Sequence, residues 1–332
     1  MKWLITGGCG FIGTSLISRL IQKEKDVSIR VLDNLSASTR DDLAAVCDFT
    51  EADSSNPGEM ANFGVELVVG DILDGELALR AAKGADAIIH LAAETGVVPS
   101  IKNPIKDCMT NVVGTVNMLI AARDNHCGGF VLASSGAPLG EQDPPIHEEK
   151  VPRPKSPYGA SKLAGEGYLS AFNGSYNLNT VALRFGNVYG TRSAHKNSVV
   201  AKFIKRMMRG EELEIYGSGK QTRDFIFIDD LVDAIIKGAT AGVGGEVFQI
   251  ATHRETTVEE ISSMLVEIFT SKTGNNAVLK HVEALPGEVM RNFSDVSKAK
   301  RILGWEPLTD LRAGLEKTVQ WFLDHPETVQ GE

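Results

Sequence analysis

Residues 6–13 read Thr-Gly-Gly-Cys-Gly-Phe-Ile-Gly, and this short stretch decides the fold of the chain. It follows an apolar run over residues 2–6 and opens a segment, Phe11–Ile21, whose apolar side chains recur at helical spacing. Gly7 permits a tight turn, Gly10 lets the backbone approach a pyrophosphate, and Gly13 allows close contact between helix and strand. This order of strand, glycine turn and helix predicts a dinucleotide-binding unit.

The residue at the end of the next predicted strand supports this interpretation. Asp33 follows the apolar pattern of residues 27–32 and lies 20 residues after Gly13. A carboxylate at that place accepts hydrogen bonds from ribose hydroxyls and repels a 2′-phosphate, and the next residue is Asn34 rather than arginine. The predicted cofactor is therefore NAD and not NADP. A glycine-rich turn without a ligand is the alternative interpretation.

Strand and helix patterns alternate through the first half of the chain. Further strands are predicted over residues 65–69, 85–92, 130–134 and 180–184, and helices near 75–83, 107–125 and 157–172. This alternation predicts an α/β fold of the Rossmann type, a doubly wound parallel sheet with helices on both faces. The polar segment 36–63 carries at most a weak helix.

After about residue 186 this alternation ends. Shorter elements, glycine-rich turns and a terminal helix near 309–323 predict a smaller mixed α/β region. We expect residues 1–185 to form the NAD-binding domain with the catalytic residues. We expect residues 186–332 to form the substrate-binding region, with some crossover of the chain between the two.

A tyrosine and a lysine four residues apart are candidates for the chemistry. In Tyr158-Gly-Ala-Ser-Lys162 both side chains project from one face of a helix, and Ser156 and Pro157 are good residues to begin one. An adjacent cation stabilises a phenolate, so Tyr158 is able to remove a proton from a hydroxyl while hydride leaves the same carbon. An ordinary exposed pair on a helix is the alternative interpretation.

A third catalytic candidate ends the strand before this helix. Ser135 follows the apolar run of residues 130–133, at the carboxyl end where open α/β sheets bind ligands. We expect its hydroxyl to contact the reacting oxygen. Asp71 and Ile72 follow the strand at 65–69 and are expected to contact the adenine, although Asp71 is also a suitable helix cap.

Composition and charge exclude several classes of function. The chain has 332 residues and a net charge of −9, which argues against a nucleic-acid partner because such a partner needs a basic face. Its four cysteines lack metal-ligand spacing, so we predict no metal site and reduced thiols in a cytoplasmic protein. No signal-peptide pattern is present, and no apolar run reaches the ~18 residues of a membrane span.

Motifs in order along nearly the whole chain resemble those of the extended short-chain dehydrogenases/reductases, in the group of NAD-dependent nucleotide-sugar epimerases and dehydratases. The motifs are TGGCGFIG at 6–13, DNLS at 33–36, GDI at 70–72, HLAA at 90–93, NVVGT at 111–115, SS at 134–135, YGASK at 158–162, LRFGNVYG at 183–190, GSGKQTRDFI at 217–226, DD at 229–230 and LGWEP at 303–307. The resemblance implies a nucleotide-sugar substrate, a role in polysaccharide biosynthesis, and a homodimer formed by the helices near 107–125 and 157–172.

The resemblance also implies roles for individual residues. The expected cofactor contacts are Gly7, Gly10, Phe11, Ile12, Gly13, Asp33, Asn34, Asp71, Ile72, Leu91, Ala92, Ala93, Asn111, Tyr158 and Lys162. The expected substrate contacts are Ser135, Asn187, Arg223 and Asn292, and Ser100 is expected near the nicotinamide. Asn187 and Arg223 would bind the diphosphate, since a guanidinium matches phosphate oxygens.

Two positions after Ser135 favour one reaction within the family. Dehydratases that resemble this chain carry Asp-Glu there, whereas this chain has Gly136 and Ala137, which cannot transfer protons. The interpretation is a 4-epimerase that oxidises a UDP-linked sugar to a 4-ketose and returns the hydride to the other face. A dehydratase with a different proton relay and a non-catalytic NAD-binding protein are the alternatives.

Three departures from the family pattern concern the substrate. Pro138-Leu139 replaces a Val-Tyr pair, and Leu285 stands where a phosphate-binding arginine is usual. Asn292 stands near the position of a bulky tyrosine in 4-epimerases. The smaller side chain predicts room for a 2-acetamido sugar.

Overall fold

The structure is a computed structural model that describes residues 1–24, 26–284 and 289–329. The strands in this part of the chain are β1 (Lys2–Thr6), β2 (Ser28–Asp33), β3 (Thr50–Ala52), β4 (Gly64–Val69), β5 (Ala87–His90), β6 (Gly129–Ser135), β7 (Thr180–Phe185), β8 (Asn187–Tyr189), β9 (Leu213–Tyr216), β10 (Thr222–Arg223), β11 (Phe225–Phe227), β12 (Glu246–Ile250), β13 (Thr256–Thr257) and β14 (Leu279–Val282).

Helices follow most of these strands. They are α1 (Phe11–Lys23), α2 (Arg40–Ala44), α3 (Gly75–Ala81), α4 (Val97–Lys102), α5 (Pro104–Cys108), α6 (Gly114–Asp124), α7 (Pro157–Tyr176), α8 (Val199–Met208), α9 (Ile228–Thr240), α10 (Val258–Thr273), α11 (Ser297–Leu303) and α12 (Leu311–Asp324). A π-helical turn over Met109–Val113 joins α5 to α6, and short 3₁₀ turns cover Ala137–Leu139 and Pro326–Val329. Within the described residues, no helix is both long and apolar enough to cross a membrane.

Eight of the described strands form one sheet in the order β12-β7-β6-β5-β1-β2-β4-β3, and all neighbours in it are parallel. Helices α1 and α9 pack together on one face, and α3, α6 and α7 cover the other. Trp3 and Ile5 of β1 are buried in the same hydrophobic cluster as Leu16 of α1. Leu4 is buried in the opposite cluster with Leu119 of α6. The predicted doubly wound Rossmann-type sheet is confirmed.

The smaller elements after residue 186 form three two-stranded sheets, β8 with β11, β9 with β14 and β10 with β13. Not all of this part of the chain is separate from the large sheet. Strand β12 pairs with β7, and α9 packs against β5, β6 and β7. The chain therefore returns to the large sheet after it has left it.

Two predicted segments differ from the structure. The helix predicted over 107–125 is divided, because the π-helical turn at Met109–Val113 widens it between α5 and α6. The polar segment 36–63, predicted to carry at most a weak helix, contains α2 and also the edge strand β3. Strand β3 pairs with β4 through residues that are mostly exposed, so it has no apolar pattern to reveal it.

Candidate active site

The strand order reverses between β1 and β5, which opens a crevice at the carboxyl ends of these strands. A cleft of about 940 Å³ is lined by the residues that follow them. The predicted residues that line it are Gly7, Gly10, Phe11, Ile12, Gly13, Asp33, Asn34, Asp71, Ile72, Leu91, Ala92, Ala93, Ser135, Tyr158, Lys162 and Asn187. Nearly all of the predicted cofactor contacts thus meet in one cleft.

The glycine turn between β1 and α1 is shaped by close packing. Gly7 has a φ of +67°, and a Cβ atom there would lie 2.8 Å from the backbone nitrogen of Ala92. A Cβ atom on Gly13 would lie 2.5 Å from the backbone of Gly8. Gly10 precedes α1 without any side-chain cap, so the first N–H groups of this helix are available to an anion. This turn fits the pyrophosphate of a dinucleotide.

The side chains beyond this turn suit the adenosine half of the cofactor. Asp33 Oδ2 accepts a hydrogen bond from Cys9 N at 3.0 Å, and its Oδ1 accepts one from Leu35 N at 2.9 Å. Burial raises the pKa of Asp33, and these backbone N–H groups oppose that rise. Asn34 Nδ2 donates to Asp71 Oδ2 at 2.9 Å, so these two predicted residues contact each other.

The catalytic candidates are brought together by β6 and α7. Helix α7 begins as predicted at Pro157, and Ser156 Oγ accepts a hydrogen bond from Gly159 N at 3.1 Å. Lys162 is buried and donates from Nζ to the backbone oxygen of Ala133 at 2.9 Å. The same Nζ atom lies 5.9 Å from the centre of the Tyr158 ring.

Burial changes the acidity of both catalytic candidates on α7. It lowers the pKa of Lys162 to about 8, although the charges of Asp107 and Glu166 oppose this. It raises the pKa of Tyr158, and Asp107 adds to the rise while the Ser135 hydroxyl opposes it. In the chain by itself, burial thus outweighs the groups that favour the phenolate of Tyr158. The positive charge of a bound nicotinamide, which the sequence interpretation includes, would add to the effect of Lys162.

One turn of α7 beyond Lys162, a buried ion pair lies behind the catalytic candidates. Glu166 binds Arg184 of β7 through two hydrogen bonds of 2.8 and 2.6 Å. It also accepts one from Ser134 Oγ at 2.6 Å, next to Ser135. The sequence analysis did not identify this pair, although the spacing of Glu166 from Lys162 was a usable signal.

Asn111 was predicted to contact the cofactor, but it does not line the cleft. It is buried in the π-helical turn, where its side chain donates to and accepts from the backbone of Glu94 at 3.0 and 2.8 Å. Its Nδ2 atom also lies 3.1 Å from both Asp107 Oδ1 and Ser161 Oγ. The π-helical turn thus directs Asn111 to support the wall of the cleft from behind, which helical spacing does not predict.

A buried histidine, His90, connects Thr115 and Asn111 to Thr6 at the start of the glycine turn. His90 Nδ1 lies 2.8 Å from Thr6 Oγ1, and its Nε2 lies 3.1 Å from Thr115 Oγ1. Thr115 Oγ1 donates to Asn111 O at 2.6 Å, so it accepts from His90, and the histidine is the neutral Nε2–H tautomer. Burial lowers the pKa of His90 to about 3, which agrees with this neutral form.

The comparison with known proteins agrees with this site. The model of the NAD dependent epimerase/dehydratase family matches residues 3–251. The chain belongs to this family. It is therefore an NAD-dependent enzyme, and the predicted family and cofactor are confirmed.

Relatives of this family enzyme have two kinds of activity. A UDP-glucose 4-epimerase of Mycolicibacterium smegmatis is 34% identical over 330 residues, which cover 97% of this chain and 98% of that protein. A dTDP-glucose 4,6-dehydratase of Neisseria meningitidis serogroup B is 33% identical and covers 98% of this chain and 94% of that protein. The crystal structure of UDP-glucose 4-epimerase with UDP-glucose from Thermotoga maritima has a TM-score of 0.85 and 33% identity, and it covers 98% of this chain and 100% of that one.

The predicted substrate contacts of this epimerase/dehydratase-family enzyme lie in two places. Asn187 is exposed in the cleft, whereas Arg223 and Asn292 are absent from its described lining. Arg223 Nη1 donates to the backbone oxygens of Thr222 and Val289, and Asn292 N donates to Thr222 Oγ1 at 3.3 Å. Arg223 and Asn292 thus both contact Thr222. Leu285 falls outside the described residues.

Two other predicted positions lie beside the main cleft. Ser100 is buried and donates to Val97 O at 2.7 Å, and it lines an adjoining pocket of about 260 Å³ rather than the cleft itself. Pro138 and Leu139, which replace Val-Tyr, are both buried in the 3₁₀ turn after Ser135. The side chain at 139 therefore packs inside the protein and adds no hydroxyl to the site.

The cysteines are not paired with one another. Cys9, Cys47, Cys108 and Cys127 are all free thiols. Among the described residues, no group of three or more histidine, cysteine, aspartate and glutamate side chains is arranged to hold a metal ion.

Proposed function

We propose that this enzyme is an NAD-dependent nucleotide-sugar 4-epimerase. The observation that carries the proposal is the meeting of Ser135, Tyr158 and Lys162 in a cleft whose glycine turn fits a dinucleotide. The position after Ser135 carries glycine rather than an acid. The UDP-glucose 4-epimerase relative and the structural neighbour crystallised with UDP-glucose support the same reaction.

The residues of the chain supply the proton chemistry. Tyr158 removes the proton from the sugar's 4-hydroxyl, and Ser135 donates a hydrogen bond to that oxygen. NAD, which the glycine turn, Asp33 and Lys162 would hold, would supply the acceptor and donor of the C4 hydride. The 4-keto sugar then rotates so that its other face receives the hydride, and Tyr158 returns the proton to the oxygen. No net proton, electron or water is consumed. Lys162 holds a positive charge beside the Tyr158 ring during these steps, because its pKa of about 8 keeps it largely protonated at neutral pH.

A lyase of the dehydratase type is the second candidate, and one carboxylate decides between the two. Asp33, Asp71 and Glu94 are the carboxylates in the described lining of the cleft. Asp33 and Asp71 are predicted contacts of the adenosine half of NAD, so we infer that an elimination of water would depend on Glu94. Its carboxylate forms an ion pair with Lys106 at 2.6 Å. Glu94→Gln leaves an epimerase active and inactivates a dehydratase that depends on this residue.

The direct test of the proposal is a panel of UDP-, dTDP- and GDP-sugars followed by NMR. We expect the C4 epimer of a UDP-hexose to accumulate to an equilibrium mixture. UDP-N-acetylglucosamine belongs in the panel because the sequence predicts room for a 2-acetamido sugar, although Asn292 is not in the described lining of the cleft. A 4-keto-6-deoxy product instead would identify a dehydratase, and no conversion of any sugar would refute both candidates.

The role of Tyr158 is tested by one substitution. Tyr158→Phe removes the proton acceptor and leaves the ring, so we expect turnover to fall by about 10²–10⁴-fold. NAD bound to the purified protein is measured as the control and should stay unchanged. Turnover close to that of the unaltered enzyme would contradict the mechanism.

We also expect residues 186–332 to provide most of the substrate contacts and two copies of the chain to form a cytoplasmic homodimer. Exposed apolar side chains on and next to α4 to α7 support this dimer, and they are Val98, Ile101, Ile105, Met109, Val113 and Tyr168. A second copy would remove these side chains from water. Light scattering that gives the mass of a single chain would contradict it.

A further inference from the structure

The segment between β8 and α8 brings a lysine into the wall of the cleft. Lys196 lines the cleft next to His195 and Asn197, in a cleft that Asn187 also lines. The backbone that carries it is held by two hydrogen bonds, from Lys196 N to Ser193 O at 2.9 Å and from Ser193 Oγ to Gly190 O at 2.6 Å. The position of this lysine is therefore set by the fold.

The ammonium group of Lys196 lacks a partner in the described part of the chain. The residue is half-buried, and burial alone lowers its pKa, because no charged group or hydrogen-bond acceptor is close enough to oppose the effect. A half-buried ammonium without a counter-charge costs free energy. A ligand that brings a negative charge to this place would remove that cost.

The other basic side chains in the described lining of the cleft all have partners. Lys106 is paired with Glu94 at 2.6 Å, and Lys162 donates to the oxygen of Ala133 at 2.9 Å. His195 Nε2 lies 3.0 Å from Asp42 Oδ1. Lys196 thus differs from its neighbours in having a charge that the fold itself does not use.

The chemistry of the proposed ligands identifies the anion. In NAD and in a neutral sugar joined to a nucleotide, the negative charges are on the phosphates. Lysine is a common ligand of phosphate because its ammonium group is a compact positive charge. Resting on the function proposed above, we propose that Lys196 is the ammonium group that binds a diphosphate in this cleft.

Two proposed ligands of this cleft carry a diphosphate, NAD and the nucleotide sugar. The diphosphate of NAD already has hydrogen-bond donors. The first N–H groups of α1, after Gly10, are available to the pyrophosphate of NAD. Asn187 is the other predicted diphosphate ligand that lines the cleft. The observations therefore favour the nucleotide-sugar diphosphate as the partner of Lys196, and the test separates it from the diphosphate of NAD.

The experiment compares Lys196→Met with Lys202→Met by calorimetry. Both changes remove one positive charge, but Lys202 lies on α8 outside the described lining of the cleft. UDP, dTDP and GDP, with uridine as the uncharged control, are titrated into the NAD-loaded proteins, and NAD is titrated into the cofactor-free proteins. We expect Lys196→Met to weaken binding of the preferred nucleoside diphosphate by about ten- to a hundredfold. Uridine binding should be unchanged, and Lys196→Arg should restore most of the affinity for the diphosphate.

Each outcome has one meaning. Weaker nucleoside diphosphate binding with unchanged NAD binding supports the nucleotide-sugar diphosphate, and the reverse pattern supports the diphosphate of NAD. The proposal is overturned if Lys196→Met and Lys202→Met bind every diphosphate with equal affinity. It is also overturned if Lys196→Met loses as much affinity for uridine as for the nucleoside diphosphates. Thermal unfolding without ligand is the check on folding, and Lys196→Met should be at least as stable as the unaltered protein because an unpaired charge is gone. If the protein binds diphosphates in this way but converts no sugar, the proposed function is refuted and the role of Lys196 is not.

Discussion

The wall of the cleft formed by the glycine turn and β6–α7 differs from the wall formed by residues 187–198. In the first wall, packing and internal hydrogen bonds fix the structure, as at Gly7 against Ala92 and Glu166 against Arg184. In the second wall, Asn187 is exposed and Lys196 has no partner among the described residues. The first wall is thus held by its own contacts, whereas the second wall presents polar groups to the cleft, as the proposed substrate side requires.

The largest effect expected from this comparison is at the buried ion pair. Glu166→Gln leaves the guanidinium of Arg184 buried without its counter-charge, so we expect a loss of about 3–5 kcal/mol in the free energy of unfolding. Urea denaturation of the protein without substrate measures it. Glu141→Gln removes an exposed partner of Lys155 and should change the unfolding free energy little. Equal stability of the two variants would remove the distinction between the walls.

The next effect is at the glycine turn and has a matched control. Gly7 and Gly58 both have a φ of +67°, but a Cβ atom at Gly58 would have no neighbour within 4 Å. An alanine in this left-handed conformation costs about 1–3 kcal/mol at either position. Gly7→Ala should cost more than Gly58→Ala, because its Cβ meets the backbone of Ala92, and it alone should lose bound NAD. Denaturation and the NAD content of the purified variants measure the two effects.

Should both variants lose the same stability and keep NAD, the close approach of the turn to Ala92 would have no role in cofactor binding. The difference between the two alanines is therefore more informative than either value by itself. It separates the strain of the backbone from the contact with the neighbouring loop.

The two walls also differ in how well the sequence predicts them. The glycine turn, Asp33 and the Tyr158–Lys162 pair were found from spacing, because a strand, a turn and a helix impose fixed distances between residues. The π-helical turn that directs Asn111 away from the cleft was not found, because it depends on the packing of α5 against α7. Lys196 was not found either, since a lone lysine in a loop has no periodic pattern.

A smaller effect is expected at Asp107, which acts on both catalytic groups of the first wall. Its negative charge raises the pKa of Tyr158 and opposes the lowering of the pKa of Lys162. Asp107→Asn removes this charge and keeps an oxygen near Asn111, so both pKa values should fall. If activity requires deprotonated Tyr158 and protonated Lys162, the acid limb and the alkaline limb of the pH–rate profile both move to lower pH. Initial rates across pH measure this shift, and an unmoved profile would show that Asp107 only supports Asn111.

The smallest effect is expected where the second wall contacts α2. His195 of the second wall lies 3.0 Å from Asp42 of α2, and 60% of the histidine side chain is exposed. An exposed pair of this kind contributes about 0–1 kcal/mol, so His195→Ala should leave the unfolding free energy nearly unchanged. Asp42 also caps α2 through Thr39, which makes the histidine the cleaner partner to remove.

The pair joins His195, which lines the cleft, to α2, which follows the lining residues 36–38, so its loss should instead speed the release of NAD by a few fold. The loss of NADH fluorescence after dilution of the NADH-loaded protein measures that rate. A loss of stability as large as that of Glu166→Gln would contradict the comparison, because it would mean that the second wall also holds the fold together. Faster release of the cofactor at constant stability would show that this contact acts in ligand exchange and not in holding the fold. Ligand binding is also the role proposed for Asn187 and Lys196 of the second wall.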